Sequence, residues 1–337
     1  MSVYPCVLEP ILYAKVWGGD RLAAFGKPVS PGAKIGESWE LADMAATSAA
    51  GAGGGAARSV IRNGSLTGLT LHEAVRQWGA GLLGATPTAA GGAFPLLVKF
   101  LDAKENLSLQ VHPSPEYATL TAGAFLKTEC WYIMDAEPGA VVYKGVKAGV
   151  GFEEFSRHVR AGTVAEVMIA HRAVAGDCHN LPSGTVHALG AGVLVAEVQT
   201  PSDTTYRLYD WGRTGREMHF EQGLASARAN WEEPAGGLIR AASTVRRRGE
   251  GEARARLVTT EFFIVDELAL TPGGSETVRG DGRCVVLTVL EGSAVLAVAG
   301  GPETALALGT TVVIPAAISS GAALHSSRGA RLLGAVV

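Results

Sequence analysis

Short segments in which apolar and polar residues alternate recur along most of this chain. Successive side chains of an extended segment point to opposite faces, so this alternation predicts strands with one buried face. We predict strands over residues 94–101, 107–112, 129–134, 140–144, 193–199 and 204–209. The pattern therefore predicts a mostly β protein with turns between short strands.

Helical spacing of apolar residues is confined to the first half of the chain. Thr70 is a predicted N-cap, and so is Ser114, which is followed by Pro115 at the first helical position. A third helix is predicted to begin at Phe152, where apolar residues recur every three to four positions. The helical insertions are predicted at about residues 65–90, 114–126 and 151–170.

The length of 337 residues predicts two domains, since one ordinary domain usually needs fewer. We predict a first domain over 1–240, which carries the helices, and a smaller C-terminal β-domain over 257–337. Between them, 241–256 (AASTVRRRGEGEARAR) holds the only dense basic run of the sequence. It is predicted to be a solvated linker because two glutamates interrupt the run. The Ala/Gly-rich stretch 45–58 is predicted to be a mobile surface loop.

Composition narrows the choice of partners and compartment. A net charge of −3 gives no reason to expect a nucleic acid or an anionic membrane as partner. The four cysteines form no CxxC pair, so we expect reduced thiols. The N-terminus lacks the pattern of a signal peptide, and no apolar run approaches the roughly 18 residues of a membrane span. These features predict a cytoplasmic protein, whereas the oligomeric state cannot be inferred from the sequence.

Two segments carry candidate metal ligands. In 108–113 (SLQVHP), Gln110 and His112 share the polar face of a predicted strand. In 176–187 (GDCHNLPSGTVH), a turn at Pro182 and Gly184 is predicted to aim His187 at the same interior. Either histidine alone would be an ordinary core residue, but two such signatures together favour a metal site.

The predicted third ligand is Glu129, in 127–132 (KTECWY), where Lys127 lies on the same face. Two imidazoles, a carboxylate and an amide oxygen suit zinc, iron(II), manganese or nickel. The absence of cysteine from the set argues against a closed structural zinc site. We therefore expect an open site with room for water or substrate.

Several of these segments together match a known pattern. They are WGGDRL (17–22), GESWELAD (36–43), FPLLVKFLDAKENLSLQVHP (94–113), KTECWYIM (127–134), LPSGTVHALGAG (181–192) and EVQTPSDTTYRLYDWGR (197–213). On these motifs the chain resembles the cupin superfamily and, more closely, the type I mannose-6-phosphate isomerases of the short bacterial kind. The resemblance implies a jelly-roll β-barrel with helical insertions, followed by a smaller, degenerate cupin-like C-terminal domain.

The resemblance also implies an activity, which is zinc-dependent interconversion of mannose 6-phosphate and fructose 6-phosphate. It implies one Zn²⁺ per chain, with other divalent metals as alternatives, and a phosphosugar substrate. The implied metal ligands are Gln110, His112, Glu129 and His187. The implied catalytic residues are Arg207, Lys127 and Glu197, and the implied substrate-binding residues are Ser108, Lys99 and Asp203. The Ala/Gly-rich stretch 45–58 departs from the family's more polar loop.

Chemistry assigns some of these roles and leaves others open. Aldose–ketose isomerisation passes through an enediolate, whose charge a divalent cation and the Arg207 guanidinium would stabilise. For the proton shuttle, Glu197, Lys127 and a metal-bound water all remain candidates, and Glu197 has an ion pair with Arg207 as its structural alternative. Two other functions also remain: an iron(II) cupin oxygenase that uses His112, Glu129 and His187, and a non-catalytic sugar-binding cupin.

Overall fold

Strands form most of the regular structure in a computed structural model, which describes residues 2–45, 56–229, 231 and 245–337. The strands are β1 (Cys6–Val7), β2 (Ile11–Gly19), β3 (Ile35–Leu41), β4 (Asp43–Met44), β5 (Ala57–Arg58), β6 (Leu97–Ala103), β7 (Leu109–Val111), β8 (Glu129–Ala136), β9 (Val141–Val146), β10 (Met168–Arg172), β11 (Cys178–Leu181), β12 (His187–Leu189), β13 (Val193–Gln199), β14 (Tyr206–Tyr209), β15 (Val245–Arg246), β16 (Arg254–Thr259), β17 (Ile264–Leu270), β18 (Ser275–Thr277), β19 (Val285–Gly292), β20 (Ala294–Val298), β21 (Thr304–Leu306), β22 (Thr311–Ile314), β23 (Ala322–His325) and β24 (Ala330–Val336). The predicted class, mostly β, is confirmed.

The α-helices are short and lie mainly in the first half of the chain. They are α1 (Leu71–Trp78), α2 (Ala80–Leu83), α3 (Pro115–Leu120), α4 (Phe152–Ala161), α5 (Phe220–Ala229) and α6 (Ala316–Ser319). Short 3₁₀ helices cover Arg21–Phe25, Gly64–Leu66, Ala90–Gly92 and Val164–Val167. Thr70 caps α1 in a reciprocal capping box with Glu73, and the Ser114 hydroxyl accepts from the Tyr117 amide at the start of α3. Helices thus lie within each of the three predicted insertions.

Two predicted segments fall partly outside the described residues. They are the loop 45–58, of which 46–55 is not described, and the linker 241–256, of which 241–244 is not described. The rest of that linker contains β15 and the start of β16. None of the helices in the described residues is long and apolar enough to cross a membrane.

Two facing sheets build the N-terminal unit. One has the strand order β15-β11-β8-β13-β6-β2-β3, and the other has the order β10-β9-β12-β7-β14. Strand β13 shows how the alternation divides the residues between the two faces. Leu194, Ala196 and Val198 join the core on the outer face of the larger sheet, while Val195 packs between the two sheets. Glu197 therefore points between the sheets as well.

The C-terminal unit consists of a six-stranded sheet, β1-β22-β19-β24-β17-β16, and a four-stranded sheet, β18-β23-β20-β21. Its six-stranded sheet packs against the outer face of the N-terminal unit's larger sheet and against α1 and α2, in one continuous apolar core. Strand β1, near the N-terminus, pairs with β22, with Cys6 opposite Val313. The N-terminal segment therefore belongs to the C-terminal sheet, while the exact domain boundaries stay a prediction.

A buried ion pair of the N-terminal unit also bonds to the C-terminal unit. Lys27 Nζ lies 2.5 Å from Glu40 Oε2 and donates to the Gly309 carbonyl at 2.6 Å, and both side chains are 1% exposed. Burial raises the pKa of Glu40 even though the Lys27 ammonium opposes this shift. The carboxylate therefore depends on Lys27 to remain charged.

We expect Lys27→Met to lower the free energy of unfolding by about 3–5 kcal/mol, because it leaves a buried carboxylate without its counter-ion. Losing Lys27 raises the pKa of Glu40 further, so the folded state then holds a proton that the unfolded state releases. The deficit should therefore grow as the pH rises from about 5 to about 8. Urea unfolding at several pH values measures it, and K27M/E40Q should recover most of the loss. A single variant as stable as the wild type would contradict this account.

Candidate metal centre

Three side chains converge between the two sheets of the N-terminal unit. Strands β7 and β12 are neighbours, with Gln110 directly opposite His187, and Glu129 begins β8 in the facing sheet. The predicted turn also forms, since Gly184 has a φ of 84° and its amide donates to the His112 carbonyl at 3.0 Å. This bond ties the loop that leads to His187 directly to the other histidine.

The donor atoms of His112, Glu129 and His187 all lie within 4.8 Å of one another, and the three residues are buried. His112 Nε2 lies 3.5 Å from Glu129 Oε2, and His187 Nε2 lies 3.2 Å from Glu129 Oε1. The Gln110 side-chain nitrogen lies 3.3 Å from His187 Nε2, while its oxygen accepts from the Ser108 hydroxyl at 3.4 Å. A half-turn of that amide would present its oxygen to the same point.

The hydrogen bonds of both imidazoles leave their Nε2 atoms directed at the carboxylate. His112 Nδ1 lies 2.9 Å from the Thr204 carbonyl, and His187 Nδ1 lies 2.8 Å from the Thr185 carbonyl. A carbonyl accepts only from a protonated nitrogen, so each Nε2 keeps its lone pair in the neutral ring. Among the described residues, His112 Nε2 and both carboxylate oxygens of Glu129 accept no aligned hydrogen bond, although the Lys127 ammonium lies 2.8 Å from Glu129 Oε2. Buried donor atoms left in this state fit a divalent cation.

Burial and neighbouring charges together determine the protonation states of the residues in this cluster. Burial, together with the nearby Lys127 ammonium, lowers the pKa of His112 to about 3, so the ring is neutral near pH 7. Burial alone would raise the pKa of Glu129, but Lys127 Nζ, 2.8 Å from its Oε2, and His112 hold that pKa well below its usual value. Burial alone would lower the pKa of Lys127, but the carboxylates of Glu129 and Glu197 raise it. The carboxylate is thus ionised and the lysine protonated.

A cavity of about 330 Å³ opens next to the three ligands. Gln110 and Lys127 belong both to its lining and to the surroundings of the metal centre. The lining carries five cationic side chains and two carboxylates: Lys15, Lys99, Lys127, Arg207, Arg216, Glu37 and Glu197. A cavity of this size with an excess of positive charge suits a small anionic ligand.

The structure places most of the predicted site residues at this cavity. Ser108, Lys99, Glu197 and Arg207 line it, whereas Asp203 is buried and does not belong to the described lining. Glu197 Oε1 lies 3.2 Å from Lys99 Nζ and 4.0 Å from Lys127 Nζ. No ion pair between Glu197 and Arg207 forms in the described part of the chain, so that structural alternative is wrong.

Arg207 reaches the cavity from β14, where it lies opposite Gln110 on β7. One guanidinium nitrogen, Nη1, donates to the Glu217 carbonyl at 2.6 Å, while Nε is buried without a hydrogen bond among the described residues. Burial lowers the pKa of Arg207, and the charge of Arg216 lowers it further. The guanidinium is therefore anchored on one side and keeps donors for a ligand on the other.

Sequence reasoning missed several cavity residues: Lys15, Glu37, Trp131 and Arg216. Glu37 lies inside a motif noted for its resemblance alone, where the alternation of GESWELAD puts it on the same face as Trp39. Trp131 lies in KTECWY, on the face that the alternation assigns to Lys127 and Glu129. Lys15 lies where β2 loses its regular register with β3, between Ala14 and Gly19. An irregular strand gives no periodic signal, so its contribution could not be inferred.

The chain is similar to known proteins over most of its length. The family described as phosphomannose isomerase type I, catalytic domain, matches residues 7–141. The mannose-6-phosphate isomerase ManA of Bacillus subtilis is 38% identical over 230 residues, which cover 66% of this chain and 68% of that protein. The mannose-6-phosphate isomerase of Streptococcus mutans is 33% identical over 322 residues, which cover 94% of each chain.

Solved structures extend the likeness to the fold. The crystal structure of the mannose 6-phosphate isomerase from Bacillus subtilis is 29% identical, covers 99% of both chains and superposes with a TM-score of 0.80. A putative mannosephosphate isomerase from Archaeoglobus fulgidus, 19% identical, covers 98% of this chain and 96% of its own, with a TM-score of 0.70, and shares the fold. The predicted cupin-like fold class is confirmed by this likeness.

Proposed function

The chain belongs to the type I mannose-6-phosphate isomerase family of enzymes, and we propose that it interconverts mannose 6-phosphate and fructose 6-phosphate. The observation that carries this proposal is the buried His112, Glu129 and His187 cluster, which opens onto a cation-rich cavity. We further propose one zinc ion per chain, held by these three residues with Gln110 as the fourth donor. Four buried free cysteines support the proposed cytoplasmic location.

The reaction we propose moves a proton between C2 and C1 of the open-chain sugar through an enediolate. When bound, the divalent cation supplies Lewis-acid stabilisation of the charge that develops on the sugar oxygens. Arg207 adds a fixed positive charge on the cavity side, where its Nε has no protein acceptor among the described residues. The cationic excess of the lining attracts the phosphate, for which Ser108 and Lys99 are the proposed donors.

For the proton shuttle we propose Glu197 rather than Lys127. The carboxylates of Glu129 and Glu197 raise the pKa of Lys127, so this lysine is protonated and cannot accept a proton. Glu197 Oε1, in contrast, lies 3.2 Å from the Lys99 ammonium but accepts no aligned hydrogen bond in the described structure. Lys127 then acts as a fixed charge between both carboxylates. Asp203 stays a proposed substrate-binding residue, and its backbone carbonyl accepts from the hydroxyl of Thr205, which lines the cavity, at 3.2 Å.

The two alternatives fit the site less well. An iron(II) oxygenase would use the same three ligands, but a cavity with five cations suits a phosphosugar better than oxygen chemistry. A non-catalytic sugar-binding protein would not need a full donor set beside a guanidinium with free donors. Neither alternative explains why a member of this isomerase family has a cavity whose positive charge suits a sugar phosphate.

We expect complete removal of metal by a chelator to abolish conversion of mannose 6-phosphate, because the cation supplies most of the charge stabilisation. A coupled assay should then recover turnover on addition of zinc, with cobalt and manganese tested in parallel, while mannose without phosphate serves as the substrate control. A protein fully loaded with metal that does not convert mannose 6-phosphate would contradict the proposed isomerase function. Oxygen consumption with an iron-loaded protein would favour the oxygenase instead.

A further inference from the structure

A row of side chains crosses the larger sheet of the N-terminal unit at the cavity. Trp39 on β3 is opposite Lys99 on β6, which is opposite Glu197 on β13, which is opposite Trp131 on β8. All four are buried, and side chains in register on neighbouring strands point to the same face. The row therefore places an indole on the far side of Glu197 from Lys99.

That indole occupies one oxygen of the carboxylate. Trp131 Nε1 donates to Glu197 Oε2 at 2.7 Å. The other oxygen, Oε1, lies 3.2 Å from Lys99 Nζ and accepts no aligned hydrogen bond from the described residues. A carboxylate oxygen that already accepts from an indole N–H is less basic than one with free lone pairs. The two oxygens of Glu197 are thus chemically different.

The second carboxylate of the cavity lining, that of Glu37, shows the effect of hydrogen-bonding partners on both oxygens. Glu37 Oε2 accepts from Trp39 Nε1 at 2.7 Å, and Oε1 pairs with Lys15 Nζ at 3.2 Å. The pKa of Glu37 is lowered, because the charges of Lys99 and Lys15 and the Trp39 hydrogen bond outweigh the effect of burial. Glu37 therefore has the same kinds of partner as Glu197, a tryptophan on one oxygen and a lysine 3.2 Å from the other, but its lysine is hydrogen-bonded, whereas Lys99 is not aligned with Glu197 Oε1.

Packing prevents the Trp131 indole from turning away. The side chain is 1% exposed, and its ring meets the His187 ring edge-on, with centroids 5.1 Å apart and planes at 83°. It belongs to the apolar cluster between the two sheets, with Ile133 and Val195. An indole fixed on several sides can hold its N–H at one carboxylate oxygen without loss of further side-chain entropy.

We propose that Trp131 is a positioning residue that reserves Oε1 of Glu197 as the proton-accepting atom; this inference rests on the proposed isomerase function. Oε1 takes the proton from C2 of the aldose, the C2–H electrons form the C1=C2 double bond, and the π pair of the C1 carbonyl moves to O1. The same carboxylate oxygen then returns its proton to C1 while the hydroxyl proton passes from O2 to O1, which leaves the carbonyl at C2. The indole N–H stays on Trp131 throughout. Without it, only the Lys99 and Lys127 ammonium groups hold the carboxylate, and neither distinguishes one oxygen from the other when the group turns.

Trp131→Phe keeps a ring in the cluster and removes only the donor. We expect kcat to fall about 10- to 100-fold, a fraction of the roughly 10²- to 10⁴-fold supplied by acid–base catalysis, while KM changes little. In a Glu197→Gln background the same substitution should cost nothing further, because its effect passes through the carboxylate. The matched control is Trp39→Phe, which removes the corresponding donor from Glu37 and should reduce kcat by the same factor in both backgrounds.

Two readouts separate positioning from a merely structural role. Metal content of W131F should equal that of the wild type; loss of metal in proportion to activity would overturn the proposal, because the substitution would then act through His187. Additive effects of W131F and E197Q would overturn it as well.

An NMR measurement tests the contact without any turnover. Among the indole N–H signals of the six tryptophans, the one lost in W131F should exchange slowly with water and shift in E197Q. A rapidly exchanging signal that does not respond to E197Q would overturn the Trp131–Glu197 contact. If the metal-loaded wild type showed this slowly exchanging signal but no turnover, the proposed isomerase function would be contradicted and the Trp131–Glu197 contact would stand.

Discussion

Glu129→Gln is expected to lose its bound metal and to reduce mannose 6-phosphate turnover to the background of the assay. Glu129 is the only anionic donor of the buried trio, and its carboxylate is ion-paired with Lys127 at 2.8 Å but accepts no aligned hydrogen bond from the described residues. A neutral amide offers a weaker ligand, and its NH₂ group would face one of the two imidazole nitrogens. Metal analysis of the purified variant, together with the coupled assay in excess zinc, measures both losses.

The same substitution should destabilise the metal-free protein. Lys127 is buried, and its ammonium lies 2.8 Å from Glu129 and 4.0 Å from Glu197. Removing the nearer partner leaves the cation largely uncompensated, at a cost of about 3–5 kcal/mol in the free energy of unfolding. The matched control is Glu37→Gln, which removes a lysine-paired glutamate from the cavity lining and should keep one metal per chain. A metal-replete E129Q protein would show that the donor set is misassigned.

Much of this site could be anticipated because its donors follow local rules. Gln110 and His112 alternate on one strand, and the turn at Gly184 forms where Pro182 predicts it, with a positive φ that glycine adopts readily. On β13 the same two-residue period separates Glu197 from its apolar neighbours Ala196 and Val198. Where one strand or one turn fixes the direction of a side chain, the sequence is sufficient.

Contacts between distant strands could not be anticipated in the same way. Glu197 pairs with Lys99 rather than with Arg207, and this choice follows from the register of β13 against β6. Strand β1 has two residues, too few for a period, yet it joins the C-terminal sheet through Cys6. Register and sheet membership depend on pairing partners hundreds of residues away, which no local pattern encodes.

The comparison of Glu37 with Glu197 shows how such pairing decides chemistry. Both are buried glutamates with an indole on one oxygen and a lysine 3.2 Å from the other. They differ in that Lys15 hydrogen-bonds to Glu37, whereas Glu197 Oε1 accepts no aligned hydrogen bond from the described residues. That difference arises from the irregular part of β2, which brings Lys15 to Glu37. Two residues of one type, on strands of one sheet, therefore receive separate roles from their neighbours.

Arg207→Ala is expected to lower kcat about 10²- to 10³-fold, the usual effect of removing one preorganised donor to a developing oxyanion. Metal content should stay at the wild-type level, because the side-chain hydrogen bond of Arg207 goes to the Glu217 carbonyl and its backbone pairing opposite Gln110 is kept in the alanine variant. The kcat of Arg207→Lys should lie between those of the wild type and Arg207→Ala, since an ammonium keeps the charge but lacks the planar set of donors.

The control for this prediction lies six residues further along the same segment. Arg213 donates to the Asn106 carbonyl and to Asp210, and it does not belong to the described cavity lining. Arg213→Ala removes an equal charge close to the site in sequence and should keep kcat within a few-fold, provided that the protein folds. Loss of metal from R207A, or equal losses of activity in R213A and R207A, would show that the guanidinium of Arg207 stabilises this segment and does not act on the substrate. A selective loss of kcat in R207A, with KM and metal retained, would instead place its charge at the oxygen on which the enediolate forms.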